Sequence, residues 1–453
     1  MVKYLKTTWP ELYRGSSNMD DNDNIAEIIN KSIFLLGAGF SIDAGLLTSV
    51  QMFDDLKKRI LDENDSFFSP VEKEALKFMI SCLKYHSEWR TMEAANNFTF
   101  APNIEELALL IRRVNNRENF LPYPITGNWA DKLVQLEAEF SSEMDSSSNL
   151  FESIEFKIRK LLKDEWLNIS KDNDLRYLNP LSDFFKAYPK EEFKLDIFTL
   201  NYDTVIENYF KGEHDIPWRG FSNGHWSSVL PDSVNDPYGR INLYKLHGSI
   251  DWTRLEDMDT CEISKIGDDQ AANIEEKHNP YIIFGQGTKS FSIEPFFSLI
   301  HHFNACINNQ NKKYIFVIGY SFFDPYINNL IFNAVKGFKK LIIVNPSFGP
   351  GNMFEHDEKE WWKVKSNPDN YFLAMYKDGY NKGNLTDFMR EIQKNSFYSE
   401  LPEFNYLAIS AENVEYIPLK TAEFIERFFA DGGDLYRKYI SEFEKQSEEE
   451  EPF

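Results

Sequence analysis

Apolar residues first gather in an unbroken run at Ile33, Phe34, Leu35 and Leu36. A run without alternation predicts a strand buried on both faces, as in a parallel sheet. Similar strand character returns at 195–200, 241–246, 281–284, 314–318 and 341–344, and 414–419 reads as one more. Between the first two of these segments the period changes. From about 62 to 190 apolar residues recur at helical spacing, as in Phe151, Ile154, Ile158, Leu161, Leu162 and Trp166. Ser69-Pro70-Val71-Glu72 reads as an N-cap, a proline in the first turn and a capping-box glutamate. Asn103 and Glu106 repeat that spacing. Ser146-Ser147-Ser148 marks a loop in a block of roughly four to six helices. Further helices are expected over 46–61, 294–309, 325–335 and 421–429, with Asp324-Pro325 as a helix start. Alternating strands and helices give an α/β fold: a doubly wound, mostly parallel, Rossmann-like sheet with a large helical insertion after its first strand. The expected layout is an N-terminal arm over 1–24 and a single domain over 25–453. That domain holds the insertion and an acidic, frayed tail over about 441–453.

The first strand runs into Gly37-Ala38-Gly39-Phe40-Ser41, with Gly45 close behind. A glycine-rich turn leaving a buried strand lets backbone N–H groups approach a phosphate and aims a helix N-terminus at it. Ser41 adds a hydroxyl. Ile42 breaks the G-x-G-x-x-G spacing, and no Gly-Lys-Ser/Thr follows, so neither common phosphate fingerprint is met. A tight strand–helix turn with no ligand fits the same residues. Ligands of open α/β sheets bind beyond the carboxyl ends of the strands. The other strand ends lead into Asn201-Tyr202-Asp203, His247-Gly248-Ser249, Gly319-Tyr320-Ser321 and Asn345-Pro346. Each has a plain alternative: an Asx turn or helix cap for Asn201 and Asp203, a buried satisfied imidazole for His247, turn residues for Ser321 and Asn345. Their gathering at one edge is what argues for a site.

Charge narrows the partners. The 453-residue chain carries a formal charge of −23, which repels nucleic-acid phosphates and anionic membranes. No run approaches the roughly 18 apolar residues of a spanning helix. Cys82, Cys261 and Cys306 are sparse and unpaired in spacing, which fits a reducing cytoplasm and draws no zinc module.

In order, G-A-G-F-S-I-D-A-G, T-L-N-Y-D, K-L-H-G-S-I-D-W, G-Y-S-F-F-D and V-N-P resemble the sirtuin-type NAD-binding fold, in particular the bacterial sirtuin-like branch of antiphage defence. The motifs span residues 33–346. The resemblance implies that NAD is the substrate, with no metal required. It places the pyrophosphate on Gly37, Ala38, Gly39 and Ser41, and the adenosine end near Gly319, Ser321 and Asn345. Asn201 and His247 match the family's catalytic asparagine and histidine, and Asp203 the acidic position beside the asparagine. Two departures stand out. Leu46-Leu47-Thr48-Ser49 replaces the P-D-F-R-like segment of protein deacylases, and only Cys261 lies where their four-cysteine zinc module belongs. The implied activity is therefore NAD hydrolysis by a toxic defence effector. Alternatives are an NAD- or ADP-ribose-binding sensor, an ADP-ribosyl cyclase or transferase, and a deacylase. Family habit further implies a cytoplasmic homo-oligomer gated by a partner such as a defence ATPase.

Overall fold

The computed structural model describes residues 29–93, 101–116, 129–143, 149–170, 173–187, 194–211, 216–227, 241–255, 262–265, 280–284, 294–320, 322, 324–335, 339–345, 414–417 and 420–429. The N-terminal arm, the acidic tail and Ser321 lie outside them. Among the described residues the main sheet has six strands: β1 (Ser32–Leu36), β2 (Leu195–Thr199), β3 (Ile241–Lys245), β4 (Tyr314–Ile318), β5 (Lys340–Val344) and β6 (Val414–Ile417). All pair in parallel, in the spatial order β3-β2-β1-β4-β5-β6. That is the doubly wound order, and its direction reverses between β1 and β4. A crevice opens at the carboxyl end of such a reversal.

The unbroken apolar runs follow from burial on both faces. Phe34 and Leu36 of β1 pack with Ile197, Phe316, Ile342 and the helical block. Ile33 and Leu35 point the other way, into a second core with Phe198, Tyr244, Val317 and Ile343. Phe34 and Phe316 stack across β1 and β4 with centroids 4.9 Å apart.

Among the described residues, six α-helices lie between β1 and β2: α1 (Ser49–Leu61), α2 (Pro70–Glu93), α3 (Ile104–Asn115), α4 (Trp129–Glu143), α5 (Leu150–Leu161) and α6 (Asn179–Ala187). The expected helix over 46–61 starts later, because residues 41–45 form turns and Thr48 then caps α1 in a reciprocal box with Gln51. The cap at Ser69 is present. Ser69 N–H donates to Glu72 at 2.7 Å, and Glu72 N–H to Ser69 Oγ at 3.3 Å. Glu72 does more than cap: fully buried, it also accepts from Ser153 Oγ at 2.6 Å and Lys157 Nζ at 2.5 Å, joining α2 to α5. Asn103 caps α3 through Glu106 N–H at 2.9 Å.

The remaining helices are α7 (Val205–Phe210), α8 (Phe296–Asn308), α9 (Pro325–Val335) and α10 (Thr421–Phe429). One expected strand belongs elsewhere. Tyr281–Ile282 pairs antiparallel with Gly248–Ser249, outside the main sheet, because the chain turns back on itself after His247. A four-stranded antiparallel ribbon (Phe221–Ser222, His225–Trp226, Trp252–Leu255, Glu262–Lys265) was not foreseen from the apolar pattern.

Candidate functional site

Register brings the strand ends level. Leu36 pairs with Thr199 and with Ile318, Thr199 with Lys245, and Ile318 with Val344. The next residues along each strand are therefore Gly37, Leu200 before Asn201, Leu246 before His247, Gly319 and Asn345. All leave the sheet at one edge.

At the β1–β4 reversal the contacts are backbone on backbone. Gly37 N–H donates to Ile318 O at 2.9 Å, Gly39 N–H to Gly319 O at 2.8 Å, and Gly319 N–H to Val344 O at 2.9 Å. A Cβ on Gly39 would stand 2.7 Å from Gly319 Cα. One on Gly319, whose φ is +64°, would stand 2.5 Å from the Gly39 carbonyl carbon. Glycine is required here for close approach and, at 319, for a left-handed backbone. Phe40 and Ser41 N–H groups donate to Gly37 O and Ala38 O, closing a single 3-10 turn over Ala38–Phe40. Four N–H groups of the turn thus already serve carbonyls. Its outer side is braced by α10, where Thr421 Oγ1 donates to Gly39 O at 3.1 Å and Ala422 N–H to Asp43 Oδ2 at 2.8 Å.

The β1–β2 side carries side chains. Asn201 Nδ2 donates to Gly37 O at 2.9 Å and to Ser41 Oγ at 3.2 Å. Ser41 Oγ donates to Asp203 Oδ2 at 2.7 Å, and Val205 N–H to Asp203 Oδ1 at 3.0 Å. Asn201, Asp203 and Ser41 are all buried. Burial pushes the Asp203 carboxyl above its usual range, although Lys245 and the Ser41 and Val205 hydrogen bonds pull it down.

Behind this cluster lies a charge network that the sequence reading missed. Lys245 Nζ donates to Asp203 O and reaches Glu207 at 3.2 Å. Arg219 forks onto both Asp251 oxygens at 2.7 Å and meets Glu207 at 3.1 Å. Burial opposes ionisation of Asp251, but the Arg219 charge and hydrogen bonds overcome it and hold the carboxyl well below its usual range. The one visible signal was Lys245, a cation closing the otherwise apolar or neutral strand I-N-L-Y-K.

His247 sits on the neighbouring strand end, its ring centroid 6.4 Å from that of Tyr202. Its Nε2 lies 3.0 Å from Asp324 Oδ2. Asp324 also caps α9, its Oδ1 accepting from Tyr326 N–H at 3.0 Å and Ile327 N–H at 3.4 Å. From its neighbours in sequence Asp324 reads only as a helix start. Ile283 N–H donates to His247 O at 2.9 Å, and Arg159 of α5 holds that segment through Pro280 O at 2.8 Å and Ile282 O at 3.2 Å. Across β4, Asn345 Nδ2 donates to Tyr320 O at 3.3 Å. Gly37, Ser41, Asn201 and Asp203 thus form one hydrogen-bonded group. His247 lies beside it, and Gly319 and Asn345 lie on the far side of the reversal.

The SIR2-like domain family matches residues 196–366. No curated protein matches the chain. Among solved structures, a triple-mutant Sir2 homologue in complex with 2'-O-acetyl ADP ribose is 13% identical with a TM-score of 0.30, covering 73% of this chain and 87% of its own. A sirtuin studied for substrate affinity is 12% identical with a TM-score of 0.29, covering 75% and 92%. The SIR2-like segment contains Asn201, Asp203, His247, Gly319 and Asn345. Over this segment the chain is similar to the SIR2-like domain family.

Proposed function

We propose that the protein is an NAD glycohydrolase, converting NAD and water to nicotinamide, ADP-ribose and a proton. The observation that carries the reading is the placement of Asn201 and His247 at matching levels of adjacent parallel strands, with the Asn201 amide bound to the glycine turn. In this reading NAD crosses the β1–β4 reversal. Its pyrophosphate lies against Gly37, Ala38, Gly39 and Ser41, and its adenosine end near Gly319, Ser321 and Asn345. Four N–H groups of the turn serve carbonyls and the Ser41 proton serves Asp203, so the Ser41 hydroxyl must turn from Asp203 to the phosphate when NAD enters.

The C1′–N bond breaks with its electron pair going to the cationic pyridinium ring, so nicotinamide leaves neutral and no general acid is required. The ribose gains oxocarbenium character. Asn201 holds a ribose hydroxyl or the water, His247 takes the proton of that water, and the water oxygen bonds to C1′. Asp203 orients Asn201 through Ser41. No step uses a metal, so turnover is expected to survive chelation.

Purified protein should release nicotinamide from NAD, and Asn201→Ala and His247→Ala should each slow release by roughly 10²–10⁴-fold. NAD binding without any nicotinamide release would replace this reading with the sensor. As a toxic activity, the hydrolysis fits an antiphage effector kept silent by its own oligomer or by a partner such as a defence ATPase. Size exclusion beside turnover tests this: a monomer at full rate would remove the gating.

A further inference from the structure

We infer that Asp324 is a positioning residue for His247, fixing its tautomer so that Nδ1, not Nε2, is the basic nitrogen. The kinetic half of this inference rests on the glycohydrolase reading above; the tautomer half does not. The Asp324 carboxylate divides its two oxygens between two tasks. Oδ1 accepts the first N–H groups of α9, at 3.0 Å from Tyr326 and 3.4 Å from Ile327. Oδ2 faces His247 Nε2 at 3.0 Å. A carboxylate has no proton to give, so Nε2 carries the hydrogen and the lone pair of the neutral ring falls on Nδ1.

The carboxylate is itself held in place. Asp324 N–H donates to Tyr320 Oη at 2.9 Å, and Tyr320 Oη donates to Asn328 Oδ1 at 3.0 Å. Both His247 and Asp324 are buried. Capping a helix fixes the carboxylate rotamer more tightly than a free side chain would be fixed, and the imidazole inherits that constraint. The ring is also pinned at its backbone, where His247 O accepts from Ile283 N–H. A helix cap and a catalytic base are thus served by one side chain, 77 residues from the histidine it orients.

Asp324→Asn separates the two tasks. Asparagine is as good a cap as aspartate, so α9 is kept. Its amide can turn a donor toward Nε2, which then has to accept, and the ring proton moves to Nδ1. With the full-length chain, kcat for nicotinamide release should fall by roughly 10²–10⁴-fold in Asp324→Asn, while KM for NAD stays within about threefold and the melting temperature is unchanged. Separately, 15N-histidine labelling reads the tautomer directly. The chain has eight histidines, so the His247 signals can be assigned by their loss in His247→Ala. At about pH 8 wild-type His247 should show a proton on Nε2 and a lone pair on Nδ1, and Asp324→Asn should shift the proton toward Nδ1. A wild-type proton on Nδ1 overturns the inference, as does a wild-type kcat in Asp324→Asn beside an inactive His247→Ala. If wild type releases no nicotinamide, the glycohydrolase reading fails and the nitrogen shifts alone decide the pairing.

Discussion

The carboxyl edge of the sheet is built in two different ways on either side of β1. Toward β4 it is made of shape: Gly37, Gly39 and Gly319 allow main chains to meet where any Cβ would collide. Toward β2 and β3 it is made of charge and hydrogen bonds: Asn201 and Asp203 join through Ser41, and Lys245, Glu207, Arg219 and Asp251 pair behind them, with Glu207 and Asp251 half-buried. The first side tolerates no added atom, and the second tolerates no removed partner. A ligand that crosses both would meet closely packed main chain on one side and polar groups on the other.

The largest effect should come from unpairing the charged side. Arg219→Ala leaves the half-buried Asp251 without its forked partner and Glu207 with Lys245 alone, and should cost about 3 kcal/mol, read from the urea midpoint. A cost below about 1 kcal/mol would mean that water reaches these groups. Adding a methyl to the other side should cost somewhat less. Gly39→Ala should destabilise by about 1–3 kcal/mol through overpacking against Gly319, and Gly319→Ala should do so through both collision and its left-handed backbone. A neutral Gly39→Ala would show that the two main chains can part easily.

Two carboxylates of the charged side should answer to pH with opposite signs. Asp251 has its folded pKa depressed, so its contribution is present above the unfolded value near 3.8 and is lost as pH falls below it. Asp203 has its folded pKa raised, so the folded state prefers it protonated. Its contribution is present below the unfolded value and lost as pH rises through the folded one. Denaturation midpoints between acid and neutral pH should therefore fall less steeply on acidification in Asp251→Asn than in wild type. Asp203→Asn should gain on wild type as pH rises. Equal slopes for both variants would break the contrast. The smallest effect belongs to a position outside both sides: Thr48→Ala, which removes the α1 cap, should cost about 1 kcal/mol and leave the pH profile unchanged.

What could be read from the sequence follows from distance along the chain. Buried strands announce themselves because both faces are apolar, and β1, β4 and β5 were visible for that reason. Helix caps at Ser69 and Asn103 are local, so three or four residues suffice to show them. The strand ends could be gathered at one edge because parallel topology leaves little choice. The rest needed contacts that the sequence does not order. Ser41 meets Asp203 across 162 positions, and nothing local tells whether Asp203 makes an Asx turn or receives that hydroxyl; it does both. Asp324 reads as a cap and is one, but its second oxygen has a partner 77 residues away. The segment at 281–284 has strand composition, yet it pairs with Gly248–Ser249 because the chain after His247 reverses direction.

The brace that α10 places on the glycine turn has a consequence for biosynthesis. Thr421 and Ala422 grip residues 39 and 43, some 380 positions earlier. While the chain is being made, the first strand and its turn emerge early and wait, uncovered on that side, for almost the whole protein to follow. The turn can be braced only after the helix that ends at residue 429 has cleared the ribosome, so a nascent or prematurely terminated chain carries the motifs without the braced turn.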